Sequence, residues 1–147
     1  MCVIRLYQTT DQKALLELID LNTPQYFALA ERTDFERYLQ KEREDYFVLE
    51  KDGATVGCGG INYEESGATA VLSWGMIHPQ YHGQGLGTLV CKHRLQHIRK
   101  KTDIKRVVVR TSQHAQRFYH KMGFQTKKVE NHYWGEDLHL HYMEIEL

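Results

Sequence analysis

His82-Gly83-Gln84-Gly85-Leu86-Gly87-Thr88 is the stretch on which the fold turns. Before it stands a strand that must stop at His78-Pro79, because proline has no N–H for the ladder; after it Leu86, Leu89, Val90 and Ile98 recur at helical spacing. Glycines let the chain turn sharply and bring backbone N–H groups against a ligand, and the free N–H groups of the new helix favour a phosphate. A phosphorylated cofactor is the expected occupant. An ATP-binding phosphate loop would need Lys before Ser or Thr after its last glycine, and Gly87-Thr88-Leu89 has none. A dinucleotide fingerprint would need glycine at Thr88 and a parallel β-α-β unit opening the domain. On glycine spacing alone, a tight connection with no ligand is an equal reading.

Upstream, Tyr46–Glu50 and Ala54–Gly57 flank Asp52-Gly53, a pair that readily takes the positive φ angles of a tight hairpin turn. Glu65-Ser66-Gly67 predicts another turn, and Ala68 to Ile77 a long strand. Cys2 to Tyr7 reads as a first strand. Thr9 with Gln12, and Thr33 with Glu36, predict capping boxes for two helices separated by the break Asn22-Thr23-Pro24-Gln25. Downstream, the pattern predicts a helix over 85–100, a strand over 106–110, a helix over 113–122 stopped by Gly123, and strands over 124–133 and 138–147. The expected architecture is one α/β (α+β) domain over residues 1–147. Its mixed, mostly antiparallel sheet has about seven strands and is flanked by about four helices.

A chain of 147 residues, 41% apolar and 26% charged, can bury a real core. Its 19 basic and 19 acidic side chains cancel, which argues against nucleic acid or an anionic membrane as partner. Cys2, Cys58 and Cys91 are odd in number and sit in or beside apolar runs, as buried reduced thiols would. With neither a signal-like N-terminus nor a membrane-length apolar segment, a cytoplasmic location is expected. His93 and His97 at i, i+4 and His139 and His141 on one strand face invite a metal, but the cysteines form no pair and no further ligands stand at a matched spacing, so none is expected. Cys91 falls inside a helix and reads as packing. Lys92, Arg94, Arg99, Lys100, Lys101, Lys105 and Arg106 read mainly as a solvated charged face, with a possible share in holding nucleotide phosphates.

A second motif changes the balance. Phe118-Tyr119-His120-Lys121-Met122-Gly123-Phe124 places Tyr, three residues and Gly-Phe at the end of a helix, and Ile77-His78-Pro79 introduces the glycine turn. With both at this separation the chain resembles the GNAT superfamily of N-acetyltransferases along nearly its whole length. His82 stands where that family has Arg or Gln, Ser112 where it often has Asn, and Ala115 where it favours Ala. The resemblance implies acetyl-CoA as co-substrate, no metal, and direct transfer of the acetyl group to a primary amine of a small molecule or protein. Main-chain groups of Met76, Ile77 and His78 would meet the pantetheine arm or thioester carbonyl. The turn of His82, Gly83, Gln84, Gly85, Leu86, Gly87 and Thr88 would hold the pyrophosphate, and Ser112 and Ala115 would complete the cofactor site.

Tyr119 is the candidate general acid, since a phenol with a reference pKa of about 10 stays protonated at neutral pH and can supply a proton to the leaving thiolate. Helical spacing alone makes it a core aromatic beside Phe118, and only the resemblance reverses that order. No base is assigned: Glu64, Glu65 and His78 lie near the relevant strand, with water as an alternative. Asn22–Phe27 and Asn131–Asp137 would border the acceptor site. Neither nucleic acid nor membrane is an expected partner, and a homodimer is left open. The rival readings are a non-catalytic acyl-CoA-binding sensor or interaction module and a nucleotide-binding regulatory domain; Tyr119 weighs against the first and the missing lysine against the second.

Overall fold

In the computed structural model, which describes residues 1–147, β1 (Cys2–Leu6) lies antiparallel to β2 (Asp45–Lys51), and β2 turns at Asp52-Gly53 into β3 (Ala54–Tyr63). Both turn residues have positive φ, 52° and 85°, as a tight hairpin demands. β4 (Thr69–Ile77), β5 (Arg106–Thr111), β6 (Gln125–Gly135) and β7 (Leu138–Glu146) complete a seven-stranded sheet of order β1-β2-β3-β4-β5-β7-β6. Only the β4–β5 pair is parallel. The connection between those two strands therefore needs a crossover, which α3 (Leu86–Arg99) supplies.

Strand alternation sorts the core into two layers. Tyr46 and Val48 bury against Leu15 and Ile19 of α1 (Gln12–Leu21) and Phe35 of α2 (Glu31–Arg37). Phe47 faces the other way, into Ile61, Leu95, Ile98, Phe124 and Met143 beneath α3 and α4 (Gln116–Lys121). Cys58 and Cys91 are buried here, but Cys2 is exposed on the first strand, so the expectation of three buried thiols fails at the strand's outer start.

Helix starts differ from the capping expectations. A 3-10 turn at Thr9–Asp11 precedes α1, and the Asp11 carboxylate accepts from Gln8 N at 2.7 Å, so Thr9 is not the cap. Thr33 lies inside α2, where Glu31 instead accepts from Ala28 N at 2.8 Å. α4 starts three residues later than expected because Gln113 bonds the last hairpin, its amide donating to Asp137 O and its carbonyl accepting from His139 N.

Of the register shifts in the sheet, the one between β3 and β4 shapes the site. Cys58 pairs with Met76 but Gly60 with Ser73, so β4 carries one residue more than β3 across this interval. This bulge puts Trp74 at φ 46°, a conformation costing a non-glycine residue about 1–3 kcal/mol. The Tyr46 hydroxyl donates to Trp74 O at 2.7 Å, and the Trp74 ring packs on Phe35 and Phe27 at 5.1 and 6.0 Å between centroids. Thr69–Leu72 pair with Arg106–Val109, but beyond the bulge β4 follows β3, while Arg110 and Thr111 follow β7. The two parallel strands part into a wedge.

Tyr46→Phe should lower unfolding free energy by about 1–2 kcal/mol in urea titrations, since the Trp74 carbonyl would lose its 2.7 Å partner, the Cys58 thiol standing at a long 3.9 Å. An unchanged midpoint would show that this bond does not hold the bulge.

Candidate active site

The wedge opens into a cleft of about 740 Å³ lined by both parting strands, the glycine turn, the start of α3, and α4. Gly83 and Gly85 have φ of 79° and 81°, which side-chain-bearing residues rarely adopt, so these two glycines are required by backbone shape. Gly85 caps α3, and Leu89 N makes the helical bond back to Gly85 O at 3.1 Å. The amides of Leu86, Gly87 and Thr88 in the first turn therefore have no intrahelical partner.

Of the residues named from the sequence, Met76, Ile77, His82, Gly83, Gly85, Leu86, Gly87, Thr88, Ser112, Ala115 and Tyr119 line the cleft, and His78 and Gln84 do not. The His78 amide is committed to Val56 O at 2.8 Å and its Nδ1 accepts from Gln80 N, so it braces the strand end. Gln84 turns outward to accept from Lys51 Nζ at 3.1 Å. Lys51, a cation delivered by the β2–β3 hairpin and resting on the Tyr81 ring, has no counterpart in the sequence expectations for this loop. His82 folds back: its Nε2–H donates to Ile77 O at 2.9 Å, closing the turn with the side chain that the resemblance assigns to pyrophosphate.

Ser112 and Ala115 shape the turn before α4. Ser112 is buried, its Oγ accepts from His114 N, and its carbonyl accepts from Ala115 N. Tyr119 is 7% exposed, packed on Phe118 and Phe124, and still borders the cleft, so it is both a core aromatic and a cleft residue. Burial raises its proton affinity and the positive Arg94 beside it pulls the other way; the phenol stays protonated at neutral pH.

The other flank of the cleft is aromatic and carries one carboxyl. Phe27 and Trp74 stack at 18° between planes, and Trp134 on the last hairpin is fixed by donation to Thr111 O at 3.1 Å. Both expected border segments thus contribute to it. Glu31 is 8% exposed in this wall with no cation paired to it, and burial pushes its carboxyl up to about 7 against the Ala28 N–H that holds it down. Glu64 and Glu65 occupy an exposed turn outside the cleft. Tyr26 lies edge-on between His82 at 5.2 Å and His114 at 5.8 Å, reaching from the loop on one arm of the wedge to the turn on the other.

Arg94 is the largest departure from the sequence reading: assigned there to a solvated face, it is 3% exposed and borders the cleft. Glycines make its room, since a Cβ at Gly59 would meet Cζ at 2.9 Å and one at Gly75 would meet Nη2 at 3.0 Å. Strand-interior glycines mark such close approaches, and that was the available signal. His93 and His97 pack on Phe47, with His97 Nε2 at 3.2 Å from Asp45. No group of three or more His, Cys, Asp or Glu is placed to hold a metal ion, and no helix is long and apolar enough to cross a membrane.

The family model described as an acetyltransferase (GNAT) domain matches residues 9–147. A Bacillus subtilis protein provisionally named [ribosomal protein bS18]-alanine N-acetyltransferase is 32% identical over 111 residues, covering 70% of each chain. The amino-acid acetyltransferase of Pasteurella multocida is 27% identical over 126 residues, 86% of this chain but only 28% of that one. The chain thus spans little more than a quarter of that longer relative. An aminoglycoside 6'-N-acetyltransferase solved with coenzyme A has the same fold, with a TM-score of 0.78 at 14% identity over 98% of this chain and 96% of that one. A match running from before α1 to the last strand settles the cofactor competition that glycine spacing left open: the chain belongs to the GNAT family of acetyl-CoA-dependent N-acetyltransferases.

Proposed function

We propose that this enzyme moves the acetyl group to a primary amine carried by a small cationic molecule or a protein terminus, with Tyr119 as proton donor and Glu31 as the group that receives the acceptor's ammonium. The observation that carries this reading is the two-sided cleft: a protonated phenol on the α4 flank, a carboxyl in an aromatic wall on the opposite flank, and parted strands between. An amino acid and a protein alanine, named for the two relatives, both present a primary amine.

The chemistry follows from the side chains. An ammonium ion has no lone pair, so a group with proton affinity near that of solution at pH 7 must take a proton from it, and Glu31 is tuned there by burial. The Phe27 and Trp74 faces favour a cation. Attack by the free amine on the thioester carbon forms the C–N bond, cleaves C–S and leaves the electron pair on sulfur, to which the Tyr119 hydroxyl gives its proton, while the second proton shed by the nitrogen replaces it on Tyr119. The N–H groups at the start of α3 and Lys51 favour the anionic end of the co-substrate.

Tyr119→Phe should reduce turnover by about a hundredfold while acetyl-CoA affinity changes less than about twofold, read from thiol release and from titration calorimetry. A mutant turning over like the parent would take Tyr119 out of the mechanism. Glu31 is protonated below about pH 7 and ionised above it, so kcat/KM for the amine should fall as pH drops through that value. Glu31→Gln keeps an oxygen for Ala28 N but no charge; it should abolish that limb and raise KM for the amine about tenfold. A limb that persists in Glu31→Gln would assign the titration to another group.

A further inference from the structure

Arg94 is a cation buried without an anion. It forms no salt bridge with any carboxylate, its Nε has no hydrogen-bond partner, and Nη1 donates to Gly60 O at 3.2 Å. Burying an unpaired guanidinium costs several kcal/mol, and replacing such charges by apolar side chains of similar size is commonly neutral or stabilising. Stability alone does not account for it. The groups facing it from each packed element are Tyr38 after α2, Tyr46 on β2, Cys58 on β3, Cys91 and His93 on α3 itself, and Tyr119 on α4. None is an anion at neutral pH: burial raises the tyrosines and pushes the Cys58 thiol up to about 12.

Its position is specific. The guanidinium fits under Gly59 and Gly75, where a Cβ would press on it, and Gly75 directly precedes Met76 on the cleft-lining strand. It therefore stands between the strand expected to hold the thioester and the phenol expected to protonate the leaving group. We propose that Arg94 is the counter-ion of the coenzyme A thiolate released by transfer. When the C–S bond breaks, the electron pair stays on sulfur facing the guanidinium, which holds the thiolate until the proton shed by the newly acylated nitrogen reaches it by relay through the Tyr119 hydroxyl, leaving a neutral thiol and an unchanged phenol. This inference rests on the acetyl-CoA reading of the cleft.

Proton release on ligand binding tests it, because a site that prefers thiolate lowers the thiol's pKa. Coenzyme A and its desulfo analogue, which lacks the thiol, would be titrated calorimetrically into the whole enzyme at about pH 7.5, one unit below the reference value for a free thiol, in buffers of differing ionisation enthalpy. The expected result is proton release with coenzyme A and none with the analogue. Arg94→Met should abolish the release and weaken coenzyme A binding about ten- to a hundredfold relative to the analogue, the range for losing a hydrogen bond to a charged group, while Arg94→Lys keeps part of both. If Arg94→Met does not fold, Arg94→Gln against Arg94→Lys gives the same comparison. Release undiminished in the Met or Gln variant, or absent in the parent, overturns the role of Arg94. Failure of both ligands to bind the parent would instead overturn the reading of the cleft.

Discussion

A single hydroxyl holds the geometry from which the site descends. Tyr46 sits in the core between α1, α2 and the sheet, and its bond to Trp74 O pins the one backbone unit of β4 that departs from strand conformation. Because β4 carries an extra residue there, it leaves its parallel neighbour after Leu72 and follows β3 alone. A regular β4 would continue to pair with β5 and fill the space with ladder hydrogen bonds. The cleft is therefore a defect in the sheet, maintained by a buried tyrosine and by aromatic packing on the residue that bears the strain.

Around that defect the protein keeps two ionisable groups from neutralising each other or anything else. Glu31 lies in the aromatic wall and Arg94 lies under the glycines of β3 and β4, each without an ion-pair partner. Both are expensive to bury. Their separation gives the cleft a polarity, negative toward the wall when Glu31 is ionised and positive toward α3. On the proposed reading, an amine that sheds a proton on one flank and a sulfur that gains an electron pair on the other would run along that polarity, and such preorganised charges act with little reorganisation.

Much of this was legible in the chain. The hairpin at Asp52-Gly53, the strand stop at Pro79, the helix after Gly85 and the Tyr119 motif depend on local chemistry, and each stands where the pattern put it. Helix starts were misread because capping is decided by which oxygen is nearest in space: Asp11 and Glu31, not Thr9 and Thr33, meet the free amides. Arg94 was misread because a cation on an exposed-looking helix and a cation buried under two glycines have the same one-dimensional pattern; Gly59 and Gly75 lie 35 and 19 residues before it. Glu31 and the Trp74 bulge are likewise products of tertiary register.

Tyr26 adds a consequence of another kind. Its ring touches His82 on one arm of the wedge and His114 on the other, and it belongs to the segment that also carries Phe27 and leads into Glu31. Any spreading of the arms would therefore move that ring and, through the same segment, the wall that carries Phe27 and Glu31. A ligand that parts the arms would in that way change the free energy of filling the other flank. By thermodynamic reciprocity that influence would be equal in both directions, each ligand tightening or loosening the other by the same factor.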